Sequence, residues 1–172
     1  MKIIPINLKD LKFCRIYKNS KGPFEKNWPN TPYTYNEISK FFPEENYGVL
    51  TGYEGLSVID SDNIVLKEVI EEKLPKTFTV ETGGGGTHYY YIIHDLKEKI
   101  ILETEDGLHL GEIQNKGQQV VGPRSIHPNG NSYVVLNDIP LTEITYEQLK
   151  SAIELFMQKN KNIQKKLLKY FH

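Results

Sequence analysis

Gly55-Leu56-Ser57-Val58-Ile59-Asp60-Ser61-Asp62 is a short apolar run that ends in two carboxylates. It is bounded by glycine and partly β-branched, so it reads as a strand. Side chains two apart on a strand project to one face, so Asp60 and Asp62 emerge together at its C-terminal end. Like charges held that close oppose each other's ionisation, and a bound divalent cation is the commonest reason for such a pair. Hard oxygen donors suit Mg²⁺ or Mn²⁺ better than Zn²⁺. A plainer reading also stands: Asp62-Asn63 caps the helix that follows, from about Asn63 to Leu74, which stops at Pro75.

Working outward, Thr77–Thr82 alternates as a strand, Gly83-Gly84-Gly85-Gly86 follows, and Thr87–Ile93 reads as a second strand. The pair predicts a hairpin around a glycine-rich loop. Four glycines let a backbone approach a ligand closely and leave N–H groups free for phosphate oxygens. No Lys-Ser/Thr follows and no helix begins there, so this is not a P-loop. The plainer reading is a flexible hairpin tip. His88 shares a strand face with Tyr90 and Ile92, while Tyr89, Tyr91 and Ile93 take the other.

Glu112 is a lone carboxylate in the apolar strand Leu108–Ile113, which a turn at Asn115-Lys116-Gly117 joins to Gln118–Val121. Arg124-Ser125-Ile126-His127 gathers several donors suited to a polyphosphate. Pro128-Asn129-Gly130 explains the same loop as turn chemistry. Ser132–Leu136 closes the sheet. Upstream, Thr34 and Glu37 form a capping-box pattern for a short helix ended by Pro43. Tyr47–Leu50 is a short strand, and residues 1–33 look loop-rich. From about Tyr146 the spacing of Leu149, Ile153, Phe156, Ile163, Leu167 and Leu168 is helical. Strands and helices mix without regular alternation, so the fold class is α+β.

With 172 residues, 38% of them hydrophobic and 25% charged, the chain is a folded domain rather than a disordered one. One cysteine, Cys14, excludes a disulfide framework and a cysteine-based zinc site, and fits a reducing, cytoplasmic setting. No apolar run approaches the roughly 18 residues of a membrane span, and Met1–Ile6 is too short for a signal peptide. Net charge is −1, which does not advertise nucleic-acid binding. Its distribution is uneven. Lys159, Lys161, Lys165, Lys166 and Lys169 follow Glu154 with no acid among them; setting these five aside leaves 16 basic residues against 22 acids, a body of about −6. A basic tail on an acidic body suits contact with a nucleic-acid backbone, and equally a solvated helix end.

The order and spacing of these elements resemble the bifunctional primase–polymerase domain of the archaeo-eukaryotic primase superfamily. Three ordered motifs carry the likeness: Asp60-Ser61-Asp62 after an apolar strand, His88 after glycines at a strand start, and Glu112 within an apolar strand. Lys21-Gly22-Pro23 with Trp28, Asn46-Tyr47-Gly48-Val49-Leu50-Thr51-Gly52, and Pro123-Arg124-Ser125-Ile126-His127 through Tyr133 agree with the flanks. The match spans roughly residues 21–137. Two departures stand out: Gln114 occupies a position that is commonly Arg, and Glu112 one that is usually Asp.

The resemblance implies an αβ module packed on an RRM-like module, with the active site in the cleft between. It implies a catalytic core over residues 1–145 and a basic C-terminal helix over 146–172, the start of a following helical or helicase domain. It implies template-dependent nucleotidyl transfer, with Asp60, Asp62 and Glu112 holding two Mg²⁺ or Mn²⁺ ions and His88 a catalytic residue contacting the triphosphate. Gly85, Gly86, Thr87, Ser125 and His127 would line the nucleotide, with Lys116 or Arg124 supplying the positive charge that Gln114 lacks. The implied partners are nucleoside triphosphates and a single-stranded or primed DNA template, with no membrane. The chain's many tyrosines offer stacking positions for that template, among which the sequence does not choose. Two alternatives use the same residues differently: a metal-dependent nuclease, disfavoured because Gln114 stands where such sites want Lys, and a non-catalytic nucleic-acid-binding replication module. A rolling-circle initiator is set aside because Ser125 stands where a second metal-binding His would be needed.

Overall fold

Among the described residues, two largely antiparallel sheets and three α-helices make up the fold. The computed structural model describes residues 2–157 and Lys169. In chain order the strands are β1 (Phe13–Ile16), β2 (Asn46–Leu50), β3 (Leu56–Ser61), β4 (Thr79–Glu81), β5 (Thr87–Ile92), β6 (Ile100–Glu103), β7 (His109–Gln114), β8 (Gln119–Val121), β9 (Val134–Asn137) and β10 (Thr142–Glu143). The helices are α1 (Tyr35–Ile38), α2 (Ile64–Lys73) and α3 (Tyr146–Ile153). The small sheet runs β1-β2-β8, and the large one β6-β7-β3-β5-β4-β9, with β10 running parallel to β5 beyond the end of β4. The class is therefore α+β, as expected.

Alternation along the large sheet separates two cores. Leu56, Val58, Val80 and Tyr90 face the small sheet and pack with Phe13, Ile16, Tyr47, Val49 and Val121. Ile59, Tyr89, Tyr91 and Ile113 face the other way, against Leu66 and Ile70 of α2 and Leu149, Ala152 and Ile153 of α3. The layers are thus small sheet, large sheet, helices. The first turns of the predicted C-terminal helix belong to this lower core. Lys159, Lys161, Lys165 and Lys166 of the basic segment lie outside the described residues.

Three expectations change. Residues 1–33 are not all loop: Phe13-Cys14-Arg15-Ile16 forms β1, paired with Asn46–Val49 of β2. Four residues interrupted by an arginine carry too little periodicity to be seen alone. The helix after Thr34 has the predicted capping box but extends only over α1. The strand β6 was not foreseen; it takes its structure from pairing with β7. Among the described residues no helix is long and apolar enough to cross a membrane.

Candidate active site

β3 lies between β5 and β7, and the register sets Asp60 directly across from His88 on one side and from Glu112 on the other. Directly paired residues share a sheet face. Three residues drawn from separate stretches of chain therefore stand in one row, on the face that turns toward the small sheet. Asp62 follows two residues on. Its backbone N–H donates to the Leu110 carbonyl at 2.9 Å, which holds the extended path just past the end of β3.

The capping reading of Asp62-Asn63 holds for Asn63 and not for Asp62. The cap of α2 is Asn63, whose side-chain oxygen accepts from the Val65 N–H at 2.8 Å. The Asp62 carboxylate is free of the helix and lies 3.6 Å from His109 Nε2. Burial raises its pKa and the neighbouring Asp60 charge raises it further, outweighing the opposing pull of His109.

Asp60 is the opposite case. Burial alone would raise its pKa, but the hydrogen bond and charge of His88, helped by Lys21 and His109, turn the net shift downward. His88 Nε2 lies 3.3 Å from Asp60 Oδ1. The imidazole is buried, tilted against the Tyr133 ring at 6.4 Å, and its Nδ1 has no hydrogen-bond partner. Tyr133 has its own hydroxyl pushed up to about 12 by burial and by the Asp60 charge, so it remains protonated at neutral pH.

Glu112 stands in the row, yet its carboxylate is engaged elsewhere. It accepts from Gln114 Nε2 at 2.8 Å and lies 3.4 Å from Lys99 Nζ. Among the described residues no three His, Cys, Asp or Glu side chains converge as they would around a metal ion. Gln114, where the resemblance led to the expectation of an arginine, thus holds Glu112 rather than adding charge.

Above the row opens a cavity of about 350 Å³, walled by Asp60, Asp62, His88 and Gln114 of the large sheet and by Gln119, Val120 and Val121 of the small one. Lys21, Thr82, Gly84, Gly86, His127 and Tyr133 complete it. The glycine loop works by close approach more than by free amides. The Gly85 N–H donates to the Thr82 carbonyl and the Gly86 N–H to Thr82 Oγ1. A Cβ at Gly86 would come within 2.8 Å of the Ser61 carbonyl oxygen, and one at Gly83 within 2.2 Å of the His127 Cβ. Bare backbone lets the loop sit against both the acid pair and His127.

Several expected nucleotide contacts do not line this cavity. Thr87 is buried on the face opposite His88, and Gly85 lies outside the cavity wall. Lys116 is exposed in the β7–β8 turn. Arg124 Nη1 donates to the Ile3 carbonyl at 2.7 Å, and Ser125 Oγ accepts from the Tyr47 N–H at 3.4 Å, so both serve the loop's own architecture. Of that cluster His127 alone reaches the cavity. The cation that lines the cavity is Lys21, not Lys116 or Arg124. The signal for it was the Lys21-Gly22-Pro23 motif, but nothing local tied that motif to the row.

An α+β domain with a carboxylate–histidine row at a cavity between two sheets is the class this geometry defines. Residues 1–146 match the family model of the N-terminal domain of bifunctional DNA primase/polymerases, Prim-Pol, and the chain belongs to that family. No curated protein matches the chain.

Proposed function

We propose that the chain is a template-dependent nucleotidyltransferase that extends or starts DNA strands, with its chemistry at the Asp60–His88–Glu112 row. The observation that supports this reading is the register: β3 pairs with β5 and β7 so that Asp60 stands between His88 and Glu112, and Asp60, Asp62 and His88 line the cavity between the two sheets, with Glu112 outside its wall. Asp60 and Asp62 suit hard divalent cations, and the raised pKa of Asp62 marks a charge that a cation would relieve. Bound there, Mg²⁺ or Mn²⁺ would supply charge neutralisation on the triphosphate and acidify the attacking hydroxyl. Glu112 joins as third ligand only by giving up Lys99 and Gln114.

The chain's own groups do the positioning. His88, held in the sheet, keeps the Asp60 carboxylate ionised and oriented. Lys21 and His127 face the cavity from opposite loops and suit the anionic oxygens of a nucleotide. No side chain need form a covalent bond; positioning and preset electrostatics carry the acceleration. In family terms we assign the large sheet with α2 and α3 to the RRM-like module and the small sheet with α1 to the αβ module.

One observation favours a second reading. A Glu112 neutralised by Lys99 suits a module that binds nucleic acid without catalysis. Incorporation of labelled nucleotide into a primed template with Mn²⁺, beside a reaction lacking nucleotide, separates the readings. Incorporation that Asp60→Ala abolishes supports transfer. Degradation without nucleotide indicates a nuclease, and binding without either reaction indicates the passive module.

A further inference from the structure

We infer that the loop from Tyr17 to Phe24 is a base-stacking platform for single-stranded nucleic acid, feeding the cavity through Lys21; as a template contact it rests on the nucleotidyl-transfer reading. Among the described residues Tyr17 is the one aromatic side chain in the exposed class, at 58%. It is not loose. Its ring stacks on Phe24 at 3.9 Å between centroids and 11° between planes. The Arg15 guanidinium lies 5.1 Å from the other ring of that stack, Phe24, and 3.8 Å from Phe41. Glu45 clamps Arg15 through two hydrogen bonds, of 2.9 and 2.5 Å. The outermost ring is thus fixed from beneath and shows its other side to solvent.

The charge around it fits a phosphate backbone. Residues 12–26 hold Lys12, Arg15, Lys18, Lys21 and Lys26 against one acid, Glu25, in a chain of net charge −1. Glu25 accepts from the Tyr33 hydroxyl at 2.9 Å, and Glu45 is spent on Arg15. Lys18, Lys21 and Lys26 are exposed. The loop is also joined to the active site. Ile16 bridges to Pro23 at its base, and Gln119 Nε2 donates to the Lys21 carbonyl at 3.0 Å. Lys21 then lines the cavity that Asp60 and Asp62 floor. Tyr17 is four residues from Lys21, hence within about 14 Å of it along the chain. A stacked ring beside exposed cations is the arrangement that holds unpaired bases, whose faces a duplex would hide.

The test is binding of fluorescein-labelled oligothymidylate to the full chain, read by anisotropy in EDTA without nucleotide, with a blunt duplex of equal length alongside. Tyr17→Ala should weaken single-strand binding about tenfold or more without changing its salt dependence. Tyr17→Trp should retain it. Lys18→Gln should weaken binding and reduce the salt slope by about one. Because Tyr17 is exposed, these variants should melt with the parent. Equal affinity of Tyr17→Ala and parent would overturn the platform, as would a Tyr17→Trp variant no better than alanine, or equal binding of duplex and single strand. The two readings fail separately. Stacking-dependent binding without any incorporation sinks the transferase and leaves the platform. Incorporation unaffected by loss of the Tyr17 ring does the reverse.

Discussion

Asp62→Asn should raise the stability of the metal-free protein and lower that of the metal-loaded one. Asp62 sits beside Asp60, and burial together with that charge raises its pKa. A raised acid pKa means that the ionised form is disfavoured in the fold, so the cost is present at neutral pH and fades as pH falls through the raised value. The side chain is 53% exposed, so solvent screens much of the repulsion. The gain on neutralisation is then on the order of 0.2–1 kcal/mol, the range for exposed charges. For a domain of this size that is at most about 2–4 °C in melting temperature. With Mn²⁺ at a hundred times its dissociation constant, the parent gains about 2.7 kcal/mol, roughly 5–11 °C. The asparagine variant, having lost one of two carboxylates, gains little of this. Melting followed by circular dichroism at pH 7.5, in EDTA and in MnCl₂, should show the order of the two proteins reverse. Equal Mn²⁺ shifts in parent and variant would refute the ligand assignment, and a variant less stable in EDTA would refute the repulsion argument.

Asn63→Ala removes the α2 cap, costs about 1 kcal/mol, and should leave the Mn²⁺ shift intact, which separates cap from ligand in a melting experiment. Gly111→Ala places a Cβ 2.1 Å from the Asp60 carbonyl oxygen, forcing β3 and β7 apart; a loss of about 1–3 kcal/mol or more and of nucleotide incorporation should follow, whereas Gly22→Ala, with nothing within 4 Å, should melt like the parent. Lys99→Met frees the Glu112 carboxylate of its cation, and isothermal titration should show tighter Mn²⁺ binding. Cys14 is buried and its thiol pushed up to about 12, chiefly by that burial; at pH 8 a thiol reagent should label it only in denaturant, and fast labelling of the native protein would show the small sheet open.

What the sequence made legible was residue identity and strand polarity. Leu56–Ile59 and Thr87–Ile92 are apolar or aromatic runs long enough to read, and the alternation that divides Tyr90 from Tyr89 and Tyr91 appears in the two cores. Asp60, His88 and Glu112 were each visible as odd residues at strand positions. Their meeting was expected only from the family resemblance, because register comes from pairing across the sheet and not from any one strand. The loop cluster at Arg124 misled for a related reason: Arg, Ser and His look alike as donors, and only the fold shows that the first two are used up by Ile3 and Tyr47. Lys21 was visible only as part of a flanking motif and Lys99 went unmarked, because their partners, Asp60 and Glu112, are remote in sequence. The acid pair's rival role was decided by one hydrogen bond, from Val65 to Asn63.

The most direct measurement is a crystal structure of the chain with Mn²⁺ and a non-hydrolysable nucleoside triphosphate, read at the manganese edge. The expected result is an anomalous peak bonded to Asp60 and Asp62 beneath the triphosphate, with the Glu112 carboxylate turned from Lys99 toward it. Manganese bound away from that pair, or a nucleotide seated outside the cavity between the sheets, would contradict the assignment.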